Sequence, residues 1–220
     1  MNRLLLCFTI FICQLTTSAT ESLQKMLPIR ADYGIDNTQL LRRSDCKSTD
    51  ELPMEIKQKL SKYLAKKLGE ENYHQLDFSG LWYIDRKKLI EKSYRRRLAE
   101  EEIYKYHIEY KIKLEEFGIS ELKTYIRLKE DLSVQRDIGL PPQAAWNFLK
   151  IETIWPKALK RLKKGDDYEI DFEYDEARDR MNWVVRSVMR VAHSGSGEAV
   201  AYDAVTGEFI NITSFAFDGF

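Results

Sequence analysis

Apolar and polar residues alternate with a period of two along several stretches of this chain, and this pattern predicts β-strands. The longest stretch runs from Tyr104 to Leu114, where every second residue is apolar and the residues between are charged or polar. Because successive side chains of a strand point to opposite faces of its sheet, one face of this strand is expected to be buried. The segment 122–128 repeats the pattern after a glycine, which predicts an antiparallel hairpin. The expected pairs are Leu114 with Leu122, Ile112 with Thr124 and Tyr110 with Ile126.

A second block of strands is predicted between residues 166 and 213. Apolar residues alternate with acidic ones from Tyr168 to Asp175, and the next strand follows after a polar turn. This register places Arg186 on the outer face, between the carboxylates of Asp171 and Asp203. The expected inner-face pairs are Phe172 with Val185 and Tyr174 with Trp183.

The segment Asp203-Ala204-Val205-Thr206-Gly207 has the composition of a hairpin turn. Glycine adopts the left-handed backbone conformation at little cost, so Gly207 is expected to close the turn. The Asp203 carboxylate is expected to accept backbone N–H groups inside it. Asp203 and Gly207 are therefore interpreted as structural residues.

Apolar residues at helical spacing predict three helices. The first covers about 53–68 and ends at Gly69, and the second is a highly charged, exposed helix over 85–102. The third covers about 143–164, with an interruption at Pro156, which removes a backbone hydrogen bond.

The N-terminus has the features of a secretory signal peptide. Arg3 precedes an apolar run of about twelve residues, and small residues follow up to Ala19. Cleavage near Ala19 would leave Cys46 as the single cysteine and no integral membrane segment, although a retained N-terminal anchor stays an alternative. The protein is therefore predicted to be extracytoplasmic, either secreted or periplasmic. Asn211-Ile212-Thr213 is a glycosylation sequon, which matters only in a eukaryotic source.

These elements predict an α+β fold in which helices pack on an antiparallel sheet, with a cystatin-like architecture. The expected organisation is a signal peptide over 1–19, a polar extension over 20–50, an α+β unit with a long hairpin over 51–140, and a helix plus a four-stranded meander over 141–220. A diverged duplication and a single larger fold both remain open.

Composition and motifs exclude several function classes. Lys plus Arg and Asp plus Glu number 35 each, so no net charge attracts nucleic acid. The three histidines lie in separate elements without a metal-ligand spacing, and no nucleotide-binding or nucleophile motif occurs. No cofactor, metal site or catalytic residue is predicted, and the protein is interpreted as a non-enzyme.

The C-terminal third resembles a PepSY module, a small extracytoplasmic α+β unit. The resemblance covers 143–213 and rests on Ala144, Ala145, Trp155 and Ala158 in the helix, on Trp183-Val184-Val185, and on the final hairpin 201–210. It implies a binding or inhibitory role toward an extracytoplasmic protein such as a protease or a toxin. The acidic strand 169–175 and the arginines of the following strand depart from the family pattern.

Two functional hypotheses follow. The first is a binding module that docks a protein partner on a sheet face or edge. The alternative is a small-ligand carrier or an unrecognised hydrolase with an aromatic pocket between helix and sheet. The candidate lining residues of that pocket are Tyr104, Tyr106, Tyr110, Trp155 and Trp183.

Overall fold

The computed structural model describes residues 23–24, 26–32, 41–84, 104–191 and 194–218. The predicted signal peptide, the predicted charged helix over 85–102 and His193 lie outside the described residues. Ten strands are present in the described part: β1 (Ile29–Asp32), β2 (Leu41–Arg43), β3 (Asp77–Ile84), β4 (Tyr106–Leu114), β5 (Ile119–Leu128), β6 (Val134–Ile138), β7 (Asp167–Asp175), β8 (Arg180–Val191), β9 (Ser194–Asp203) and β10 (Phe209–Asp218). The two helices of this part are α1 (Met54–Tyr73) and α2 (Ile151–Leu159).

The predicted α+β class is wrong, because nearly half of the described residues lie in strands and the fold is mostly β. A curled, half-barrel sheet of six strands and a four-stranded antiparallel sheet replace the expected layer of helices on a sheet. The third predicted helix is reduced to a short 3-10 turn, Gln143–Ala145, and to the nine residues of α2. The chain between them bonds to strands instead, since the Leu149 N–H donates to the Ala204 carbonyl at 2.7 Å.

The six-stranded sheet has the order β1-β5-β4-β3-β2, and β6 also pairs with β5. β1 is parallel to β5, whereas the other pairs are antiparallel. The predicted hairpin is β4–β5, and its apolar face is the expected one. Its register differs by two residues, because a 3-10 turn, Glu115–Phe117, and left-handed Gly118 shorten the connection. The observed pairs are Ile108 with Ile126, Tyr110 with Thr124 and Ile112 with Leu122.

The four-stranded sheet is the predicted meander, in the order β10-β9-β8-β7. Its first pair is again two residues away from the predicted register. The turn between β7 and β8 spans only the four residues 176–179, so Asp175 pairs directly with Arg180. The inner-face pairs are Ile170 with Val185, Phe172 with Trp183 and Tyr174 with Met181.

One hydrophobic core joins both sheets and both helices. Helix α1 contributes Ile56, Leu60, Leu64 and Leu68, which recur every four residues and are at most 2% exposed. At Gly69 the backbone turns left-handed, with φ of +77°, which ends the regular part of the helix where the sequence predicts. In the described part of the chain, neither helix is long and apolar enough to cross a membrane.

Candidate functional site

The outer face of the four-stranded sheet contains a groove that follows β9, and we call it the β9 groove. Because side chains alternate along a strand, Trp183, Val185 and Val200 fill the core while their neighbours face outward. On the outer face β9 presents Ala199 and Ala201, whose small side chains form the floor. The volume of the groove is about 480 Å³.

The walls of the β9 groove come from the neighbouring strands. Asn182, Val184 and Arg186 of β8 stand on one side. Asn211, Thr213 and Phe215 of β10 stand on the other side, because they pair with Ala201, Ala199 and Gly197 of β9. Gly197 is required here, since a Cβ at this position would lie 2.7 Å from the Phe215 ring and 2.1 Å from the Ser187 carbonyl oxygen.

The charges that line the β9 groove are paired with one another. Arg186 contacts the carboxylates of both Asp171 and Glu173. Arg178 donates to Asp175 at 3.1 Å. An anionic or cationic ligand would have to break these pairs, so the groove favours a ligand that is polar and uncharged.

Asn182 lies in the wall of the groove and is only 7% exposed. Its side-chain oxygen has no hydrogen-bond partner among the described residues. A buried acceptor without a donor costs about 1–3 kcal/mol, and such groups in native proteins call for an ordered water or a functional explanation. The oxygen is enclosed in the wall, with less than 1 Å² of accessible surface, and is not open to the groove.

The predicted Arg186 clamp is half correct. Arg186 reaches Asp171, but its second partner is Glu173 and not Asp203. On the β9 side the register differs from the prediction by four residues, so Ala199 lies opposite Arg186 and Asn182 lies opposite Asp203. The Asp203 carboxylate pairs with Arg180 at 2.6 Å.

The turn after β9 has the predicted geometry. Asp203 is 4% exposed, and its Oδ1 accepts the N–H groups of Val205 and Thr206, each at 2.8 Å. Gly207 is left-handed, with φ of +68°, and its N–H donates to the Asp203 carbonyl at 2.9 Å. These bonds fix the direction in which β10 returns along β9.

The five aromatic residues predicted to line a pocket do not come together at one place. Trp155 and Trp183 are 3% and 0% exposed and lie in the core, where the Trp183 indole donates to the Leu149 carbonyl at 2.8 Å. Tyr110 is also buried, and Tyr106 packs edge-on against Tyr83. None of the five aromatic residues lines the β9 groove.

Tyr104 instead joins an aromatic cluster around His107 on the outer face of the six-stranded sheet. The His107 ring lies 4.6 Å from the Tyr125 ring and 5.8 Å from the Trp82 ring, and the Arg127 guanidinium covers Tyr104 at 4.4 Å. The sequence predicts a solvated position for His107, but the side chain is fully buried. Burial lowers the pKa of His107, and the Glu109 carboxylate, 3.4 Å from Nε2, opposes this shift.

The β9 groove was not predicted from the sequence. The signal that predicts it is the run of small residues Gly197, Ala199 and Ala201 at every second position of one strand. In the described part of the chain, no group of three or more His, Cys, Asp or Glu side chains is placed to hold a metal ion.

Comparisons with known proteins found no matching family model, no similar curated protein and no similar solved structure. The resemblance to PepSY modules therefore stays a prediction that rests on the residues quoted for it.

Proposed function

We propose that this protein is a non-enzymatic, extracytoplasmic binding protein that docks a segment of another protein in the β9 groove. The observation that carries the proposal is the groove itself, an open site on a sheet face with a floor of small residues. An extended polypeptide has the required chemistry, because its backbone is polar and uncharged.

The lining of the groove supports this class of ligand. Ala199 and Ala201 let a bound backbone approach the sheet closely, and the Phe215 ring offers a surface for an apolar side chain. The internal ion pairs of Arg186 and Arg178 leave no free charge for a phosphate or a nucleic acid among these lining residues.

Site-specific photocrosslinking tests the proposal. Thr213 is exposed and lies in the groove wall, so Thr213→p-benzoylphenylalanine places a reactive group at the site. After incubation with the extracytoplasmic fraction of the host and irradiation, we expect a covalent adduct with a defined protein. Mass spectrometry of the adduct should locate one segment of that protein.

Two controls make the result specific. The same photoreactive residue at Lys113, an exposed position of β4 in the other sheet, should give no such adduct. Adding Ala199→Met to the Thr213 variant fills the groove floor and should abolish the crosslink. Equal labelling from both positions, or an adduct that survives Ala199→Met, would contradict docking in the groove.

A further inference from the structure

The two edges of the four-stranded sheet differ sharply in charge. The edge strand β7 carries Asp167, Glu169, Asp171, Glu173 and Asp175 at every second position. Charged side chains on an edge strand discourage pairing with another strand, so this edge is protected. β7 also packs next to β1.

The opposite edge, β10, has no such protection. It is ten residues long and carries no charged side chain from Phe209 to Phe217. Among the described residues β10 pairs only with β9, so no described strand pairs with its other edge, which we call the open edge. Long, uncharged edge strands are templates for pairing with another chain.

Exposed apolar side chains concentrate on the same sheet. Of the described residues, Phe209, Ile212 and Phe217 of β10 are 39%, 45% and 37% exposed. Met189 and Val191 at the end of β8 are also exposed. Ile212 pairs with the buried Val200 and lies on the core face, whereas Phe217 pairs with Gly195 and lies on the outer face, so exposed apolar side chains occur on both faces of β10.

We propose that β10 pairs with β10 of a second copy of this chain, in antiparallel orientation about a two-fold axis. A two-fold axis perpendicular to the sheet makes the second β10 an antiparallel neighbour and keeps the same face of both sheets outward. The product is one continuous sheet with four strands from each copy. The two β9 grooves then lie on the same face of that sheet.

The composition of β10 favours a second copy over a charged foreign strand. With no charge between Phe209 and Phe217, neither copy repels the other, and no partner charge is selected. An antiparallel pair of ten-residue strands forms about ten backbone hydrogen bonds, which is typical of a specific protein interface. The exposed Ile212 side chains lie near the centre of such a pair.

Sedimentation velocity of the purified protein, over a wide range of concentrations and in the presence of a reductant, tests the proposal. We expect the mass to rise from that of one chain to twice that value as concentration increases. Ile212→Lys places one ammonium group from each copy beside the two-fold axis. The dissociation constant of the dimer should therefore rise by about tenfold or more. Circular dichroism should confirm that the variant remains folded.

Met54→Lys is the matched control, because Met54 is 65% exposed at the start of α1, away from β10. It removes an exposed apolar side chain and adds the same charge, and it should leave dimerisation unchanged. A protein that stays monomeric at every concentration overturns the proposal. So does an Ile212→Lys variant that dimerises like the unmodified protein, or a dimer that dissociates on reduction and is therefore linked through Cys46.

Discussion

The ammonium group of Lys67 in α1 lies 2.8 Å from the carboxylate of Asp137 in β6, and both side chains are nearly buried, at 14% and 10% exposure. Lys67 also contacts Asp179, in the turn after β7, at 3.1 Å. The hydroxyl groups of Tyr63 and Tyr174 donate to Asp137 and Asp179. Burial, reinforced by these carboxylates, raises the pKa of both tyrosines, so both remain donors at physiological pH.

Lys67→Met is expected to destabilise the protein by about 3 kcal/mol, because it leaves the buried carboxylate of Asp137 without its cation. The free energy of unfolding, measured by urea denaturation at neutral pH, checks this value. Lys57→Met is the matched control. Lys57 pairs with Asp50, which is 86% exposed, and the loss of an exposed pair should cost less than about 1 kcal/mol. Equal losses in the two variants would show that burial does not strengthen the Lys67 pair.

His107 is expected to make the stability of the fold sensitive to acid. Since burial lowers its pKa in the folded state, the unfolded chain binds the proton more readily. Its contribution to stability is fully present above the unfolded pKa of about 6.5 and is lost as the pH falls below that value. For a single proton, the free energy of unfolding falls by up to about 1.4 kcal/mol for each pH unit.

Urea denaturation of the unmodified protein and of His107→Phe between neutral pH and moderately acidic pH measures this effect. We expect the variant to lose less stability on acidification, because a phenyl ring packs against Trp82 and Tyr125 without binding a proton. His74→Phe is the control, since the His74 side chain is 75% exposed, and its pH dependence should match that of the unmodified protein. Identical pH slopes for the unmodified protein and His107→Phe would rule out this role.

Asp203→Ala is expected to destabilise the protein by about 3 kcal/mol. The substitution leaves the Arg180 guanidinium and the N–H groups of Val205 and Thr206 without their acceptor. Asp203→Asn keeps an oxygen for the two N–H groups but replaces the oxygen that accepts from Arg180 with an NH2 group, so it should cost about half as much. Thermal denaturation of the two variants provides the comparison, and an equal cost would mean that the charge alone matters.

Production in a eukaryotic secretory pathway is expected to place a glycan on Asn211. Asn211 is exposed, and it is the first residue of the sequon that lies on the open edge of β10. An endoglycosidase-sensitive increase in mass that disappears in Asn211→Gln is the expected result. The glycosylated protein should also sediment as a monomer, because the glycan blocks strand pairing at this edge. Export without any glycan would contradict the exposure of Asn211.

The alternation of apolar and polar residues predicted both hairpin faces correctly but not their registers. A shift by two residues keeps every side chain on its own face, so the pattern does not distinguish Phe172 paired with Val185 from Phe172 paired with Trp183. The register is set by the length of the turns, and both turns are tighter than expected. The partner of Asp203 depends on a third register, that of β8 with β9, in which Val191 pairs with Ser194 and Asp203 lies opposite Asn182. Asp203 therefore pairs with Arg180 and not with Arg186.

The balance of helix and strand was not predictable from local periodicity alone. The segment 146–150 has apolar residues at helical spacing, but it is not helical and is held by hydrogen bonds to the final hairpin and to the Trp183 indole. These partners are more than thirty residues away in the sequence. Propensity is a weak signal when such tertiary hydrogen bonds are available.

The β9 groove was not predicted for a different reason. The small residues Gly197, Ala199 and Ala201 indicate only a low floor along one strand, and the shape of the groove depends on the larger side chains of the two neighbouring strands. The turn chemistry of Asp203 and Gly207, by contrast, is local, and the sequence alone was sufficient to predict it.

The position of Lys67 has a consequence for how this protein can be divided. Its ammonium group is shared between Asp137 of the first sheet and Asp179 of the second, and the core is continuous between the sheets. A fragment that begins after residue 140 would lose this cation and its contacts with the core residues of α1 and the first sheet. The four C-terminal strands are therefore not an independently folding unit. Transferring them to another protein would require α1 and the six-stranded sheet as well.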